Sequence, residues 1–273
     1  MSKFDEVLAE AVQDFTVEGY DSYHRLDKWM ILLRQAAIES LLPLAELDRY
    51  IAQSLEARLG RAMTKRAMAR RHPNVAPWTI ARLKPHMREE LSRRIVASAQ
   101  LIRLNRDEAI EKALRHFSGW ASSVPVGGSE AVNRHEVKAG IKKSLKQLSF
   151  QERRVAIDQG FKLISSIDQI IAHEGGAIAG KWRDHGSVDH RYHARKEHMA
   201  RDDKFYAIRG NWALEKGYMT KCDGYTDDQT QPGEEVYCRC FYVYIYNLRD
   251  LPPEFITKKG KQAMAEAKAG ISA

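Results

Sequence analysis

The sequence predicts an α+β protein, with a mainly helical N-terminal region followed by a compact α+β C-terminal domain holding a small antiparallel sheet. Three observations carry this. Apolar residues recur at helical spacing through most of the chain up to residue 174. Gly175 and Gly176 then end the pattern. Beyond them, aromatic, histidine and turn residues crowd together, and the stretch 236–246, rich in Tyr and Val after Pro232-Gly233, reads as a strand.

The helical patterns occupy residues 3–18, 22–41, 45–71, 78–118 (broken), 129–147 and 149–174. Pro43, His72-Pro73, Pro77, Pro85 and the loop from Ser122 to Gly128 punctuate them. Ser149 and Glu152 have the spacing of a capping box for the last helix, along which Phe150, Val155, Ile157, Phe161, Ile164, Ile167 and Ile171 recur. The organisation expected is a helical region over 1–148, an α+β domain over 149–250 and a tail over 251–273, where KKGKQAMAEAKAGISA reads as a short basic amphipathic helix. Trp182 and Trp212 are expected to pack the small domain. Asp202 and Asp203 are expected to cap or be solvated.

With 273 residues, 44% hydrophobic and 29% charged, the composition is that of a soluble globular chain. No apolar run is long enough to span a bilayer, and the acidic, amphipathic start MSKFDEVLAEAVQDF is unlike a secretory signal. Three cysteines, all between Cys222 and Cys240, cannot build a paired disulfide framework, so reduced thiols in a cytoplasm are expected. The net charge of +8 is clustered: Arg58, Arg61, Lys65, Arg66, Arg70 and Arg71 lie in one stretch, and Lys138, Lys142, Lys143 and Lys146 in another. Such clusters either meet phosphates without sequence preference, making these residues candidate contacts to double-stranded DNA, or form solvated helix faces. Sequence-specific reading lacks a helix-turn-helix or RNA-binding signature.

The sharpest chemical signal lies in the C-terminal domain. Alternation along a strand would project Cys238 and Cys240 from one face, where a disulfide two residues apart would be badly strained. Upstream, five of the ten histidines fall between His173 and His198. Imidazole and thiolate are natural ligands of a tetrahedral zinc, so His193, His198, Cys238 and Cys240 form a candidate structural metal site, with His190 in reserve. The competing reading is a hydrogen-bonded core histidine beside two packed cysteines. A catalytic reading, with a histidine base, a metal-dependent nuclease centre or an activated cysteine, uses the same residue types. No Gly-rich phosphate loop, His-Glu-x-x-His or oxyanion-hole signature favours it. Cys222 and Asp223 are an extra ligand pair or a turn.

The order Trp182, Asp189, Arg191, a histidine at 193 or 198, Pro232-Gly233 and Cys238-Arg239-Cys240 resembles the phage Mu F-like family of minor head, or head morphogenesis, proteins over residues 150–248. DHRYHARKEHMARDD lacks the Gly of the family pattern, which leaves the matching histidine open between His193 and His198. The resemblance implies a structural, non-enzymatic component of a tailed-phage virion. It would be assembled in the host cytoplasm, near the portal vertex, with portal protein, major capsid protein and packaged DNA as partners. The helical region would then be a docking arm. A DNA-acting metal enzyme or a delivered effector is the alternative.

Overall fold

A computed structural model describes residues 2–184 and 195–271. The candidate ligands His190 and His193, and the resemblance residues Asp189 and Arg191, lie outside the described residues. Contacts divide the chain into two units, Met1–Ala52 with Ile95–Ala156, and Gln53–Arg94 with Ile157–Ala273.

The first unit is helical. In α1 (Lys3–Glu18) the Ser2 hydroxyl accepts from the Asp5 N–H and the Asp5 carboxylate reaches back, a capping box that satisfies amides otherwise left open at a helix start. Phe4, Leu8, Ala11 and Phe15 recur along one face of α1 and are buried. They meet Leu26, Leu33 and Ala37 of α2 (Tyr23–Glu39) and Ile110, Leu114 and Phe117 of α5 (Pro77–Ala121). Phe15 stands edge-on to Phe117 with ring centres 5.8 Å apart. Burying such a ring stabilises by about 2–3 kcal/mol, so this stripe is what holds α1 in place. Ile141 of α6 (Arg134–Ile141) joins the same core, and α7 (Lys143–Lys146) follows.

Several helix boundaries differ from those the sequence suggests. The pattern over 45–71 is two helices, α3 (Leu44–Ala62) and α4 (Lys65–Arg71), because the Thr64 hydroxyl caps the second by accepting from the Ala67 N–H. The pattern over 129–147 yields only α6, after its Asn133 cap, and the single turn α7. The break expected within 78–118 does not occur: α5 runs through Pro85, and Leu83 and Met87, buried on either side of it, hold the helix across the lost hydrogen bond. The Ser149–Glu152 capping box does not form either. Helix α8 (Leu148–Glu174) starts before Ser149, and Glu152 Oε1 instead accepts from Arg106 Nε at 2.6 Å.

In the second unit a three-stranded antiparallel sheet has the order β2–β1–β3, formed by β1 (Ala179–Arg183), β2 (Phe205–Ala207) and β3 (Phe241–Ile245). Gly180 pairs with Tyr206 on one side and Tyr244 on the other, and Trp182 with Tyr242. Alternation therefore gathers Trp182, Tyr206, Tyr242 and Tyr244 on one face with Ala172 of α8. A Cβ on Gly180 would sit 2.8 Å from the Tyr242 ring, so only glycine lets the aromatic close over the central strand. The opposite face, with Ala179, Ala207 and Ile245, is covered by Ala213, Met219, Leu248, Leu251 and Ile256. The sheet is thus a buried layer, and the small antiparallel sheet expected from the sequence is present. Its last strand is shorter than the 236–246 run, because Tyr237 takes a positive φ of 62° that no regular strand accommodates. Trp182 is fully buried, and Trp212, at the start of α10 (Trp212–Glu215), is 37% exposed with its ring roughly perpendicular to that of Tyr218. The tail forms α11 (Lys258–Ile271).

Candidate metal centre

Helix α8 organises the surroundings of the paired cysteines. Asp158, Phe161, Ser165 and Asp168 recur at spacings of three, four and three and so share one face of the helix. The Asp158 carboxylate accepts from the Tyr237 N–H at 2.7 Å, which pins the left-handed residue just before Cys238. The Ser165 hydroxyl donates to the Pro232 carbonyl. Gly233 follows with φ of 81°, and a Cβ there would lie 3.0 Å from Ser165 Cβ, so the Pro-Gly pair is required by both conformation and space. Tyr237 and the residues to Cys240 then lead into β3.

Across from this turn, α9 (Lys196–Met199) carries His198. His198 Nδ1 stands 3.5 Å from Cys238 Sγ and 3.6 Å from Cys240 Sγ. All three residues are buried, and their ligand atoms lie within 4.8 Å of one another. A nitrogen and a sulfur bound to one tetrahedral zinc at ordinary bond lengths are separated by about 3.6 Å, so both nitrogen–sulfur edges have the right length. The buried His198–Cys238–Cys240 group could therefore hold a metal ion. Strand alternation is not what brings the sulfurs together, since both precede β3; the turn held by Asp158 and Ser165 does so.

The electrostatics suit a thiolate centre. The neighbouring Cys240 thiol, opposed by burial and aided by the backbone N–H groups of Gly233 and Cys240 and by His198, holds the Cys238 thiol down to about 5. On the far side of the imidazole, Nε2 lies 3.5 Å from Glu235 Oε1, too poorly aligned for a hydrogen bond. Burial pushes the Glu235 carboxyl up, but the Arg195 cation at 2.9 Å and His198 outweigh it and leave it below its ordinary value. With Nδ1 turned to the sulfurs, the proton would reside on Nε2 facing this carboxylate, the usual way a ligand histidine is oriented. Trp182 closes the site with its ring edge against His198, centres 5.4 Å apart. Cys222 stands apart from this group. It has φ of 58°, burial and then the Asp223 charge push its thiol up to about 12, and the Asp223 carboxylate accepts from the Phe205 N–H at 2.8 Å. Asp202 accepts from the Asp184 N–H, and Asp203 pairs with Lys181.

The candidate phosphate contacts are placed unevenly. Arg58 is half-buried over the Phe161 ring at 4.4 Å, Arg71 lies 2.7 Å from Asp168, and Lys142 lies 2.9 Å from Asp5. Arg61, Lys65, Arg66, Arg70 and Lys143 are exposed.

A second polar cluster in this unit has no counterpart in the sequence reading. His72 Nδ1 lies 2.7 Å from the Tyr246 hydroxyl, and its Nε2 lies 3.0 Å from Asp168 Oδ1. The ring stacks on Tyr244 at 5.0 Å, tilted by 9°. His72 shows in the sequence only as a residue before proline, and nothing local marks its partners.

Comparison of the chain with protein-family models, with curated proteins and with solved structures finds no match. Among the described residues no helix is long and apolar enough to cross a membrane.

Proposed function

We propose that this chain is a structural minor head protein of a tailed bacteriophage, acting in head morphogenesis near the portal. Its C-terminal domain is held in shape by a zinc ion on His198, Cys238 and Cys240. The observation that carries the reading is the buried His/Cys/Cys group, which sits on the same Trp182, Pro232-Gly233 and Cys238-Arg239-Cys240 elements that resemble the Mu F-like family. A catalytic zinc keeps a coordination position open to substrate, whereas these three ligands are at most 5% exposed, which favours a structural ion. Zinc would close a loop of forty residues between His198 and Cys238 and add its binding free energy to folding. The sequence offers His193, outside the described residues, as a fourth ligand, with His190 in reserve. Portal or major capsid protein is the partner, and the helical region 1–148 is the docking arm.

Purified protein should carry close to one zinc per chain by elemental analysis, and Cys238→Ser/Cys240→Ser should lose it and melt at lower temperature. The full chain should co-sediment with portal rings or assembled heads. Plasmid cleavage that depends on added metal and disappears in His198→Ala would replace the structural reading with a nuclease.

A further inference from the structure

A groove of about 410 Å³ in the second unit lies away from the sulfurs, with Arg66, Arg70, Arg71 and Arg239 over Phe161 and Phe241. No aspartate or glutamate lines it among the described residues. Arg71 is offset by Asp168, but Arg66 and Arg70 have no carboxylate partner among the described residues. Three guanidinium groups rest on the two rings: Arg70 over Phe241 at 4.7 Å, Arg58 over Phe161 at 4.4 Å and Arg239 over Phe161 at 5.6 Å. An arginine already held against a ring loses little further freedom when its N–H groups grip an anion, and its planar fork matches phosphate oxygens. Burial, and then the nearby cations Arg61 and Arg239, push the Arg58 guanidinium below its ordinary value; this crowding of like charge would be relieved by an anion. Arg239 stands between two residues whose sulfurs face His198, so the turn that presents a metal site on one side presents a guanidinium on the other.

We propose that this groove binds the phosphate backbone of a nucleic acid, and that the Cys238-Arg239-Cys240 turn sets Arg239 into it. The groove stands on its own residues; only the coupling to Arg239 rests on the metal reading above. Arg66, Arg70, Arg71 and Arg239 line one groove that holds no carboxylate among the described residues, and phosphate oxygens accept the paired N–H bonds that guanidinium forks donate; the polyglutamate arm of the test separates phosphate from carboxylate.

The test is the fluorescence anisotropy of a labelled DNA duplex of arbitrary sequence, read across a salt series. Arg66→Gln/Arg70→Gln should weaken binding by about tenfold or more and reduce the slope of log affinity against log salt by about two. Lys84→Gln/Arg88→Gln removes the same charge from exposed positions of α5 and should change affinity by less than about threefold. Equal losses in the two variants, or no loss in the first, would overturn the groove. Polyglutamate displacing the duplex at equal charge would overturn the phosphate assignment in favour of an acidic protein. A zinc chelator should weaken the parent chain and leave Arg239→Gln unaffected. Equal weakening of both would overturn the coupling while leaving the Arg66/Arg70 result to decide the groove. Because Arg66 and Arg70 are exposed, their replacement leaves the fold, read by circular dichroism, unchanged.

Discussion

His72 has both ring nitrogens engaged inside the protein, on Tyr246 and on Asp168, with its ring lying flat on Tyr244. Burial, then the Asp168 charge, push the Tyr246 hydroxyl well above its ordinary value, so it remains a neutral partner for the imidazole. Replacing His72 with alanine removes the stacked ring and takes a partner from two groups poorly placed to recruit water. We expect a loss of about 2–4 kcal/mol, read as a lower urea midpoint; an unchanged midpoint would show that the cluster is incidental. Asp158 offers a second test. Asp158→Ala releases the Tyr237 amide and with it the backbone that aims Cys238; if the proposed ion is bound, this should weaken its retention by about tenfold or more in competition with a chromophoric chelator. Asp158→Asn keeps an acceptor in place and should lose less. Single residues were legible in the sequence where their chemistry is restricted. Two cysteines beside a run of histidines allow few uses, so His198, Cys238 and Cys240 could be singled out. His72 and Asp168 could not, because a hydrogen bond spanning 96 residues leaves no local pattern.

At the scale of elements, α5 and α8 show why helices were easier to identify than to delimit. The apolar recurrence that marked α8 ends in Ile167 and Ile171, both buried, so its existence was plain, although the buried Leu163 stood outside that recurrence and Phe150 at its start is exposed. Its start was misread because Glu152, which has the spacing of a capping residue, is held by Arg106. Periodicity also passes over polar residues that do structural service, as Asp158, Ser165 and Asp168 do on this helix. Helix α5 carries a comparable group, in which the buried Glu90 carboxylate accepts from Arg93 Nε at 2.7 Å and Arg94 Nε at 3.0 Å. Burial raises its carboxyl, but the two arginines prevail and hold it below the ordinary 4.5. Because the folded carboxyl titrates below the unfolded one, this stabilisation is fully present above that value and is lost as the pH falls beneath it. Urea unfolding from about pH 6 to about pH 3 should therefore show the parent losing more stability than Glu90→Gln, and parallel curves would exclude a net contribution. The strand was legible in kind and not in length: Tyr and Val favour extended chain, yet the turn that presents the cysteines consumes the first half of the run.

Over the whole molecule, the α+β class followed from composition, since aromatic and turn residues are concentrated after Gly176. The division by contacts does not follow chain order, because Gln53–Arg94 belongs with the segment from Ile157 onward, and no change of composition marks that association. If the metal centre pins the second unit, chelation should act there selectively. Hydrogen exchange should quicken at Cys240 and through β3 while amides of α1 and α2 keep their protection; uniform quickening would mean that the ion supports both units alike.

The placement of α4 against β3, joined by the His72–Tyr246 hydrogen bond, has a consequence for how the chain is made. A ribosome releases residues 65–71 well before residues 241–245 exist. At ordinary elongation rates the intervening stretch takes on the order of ten to thirty seconds. Throughout that interval His72, buried in the folded protein, lacks both the Tyr244 ring it stacks on and the Tyr246 hydroxyl it bonds. This early basic segment, rather than the later turn of Cys238 and Cys240, is where a nascent-chain chaperone would be needed, and where fast synthesis would favour correct assembly.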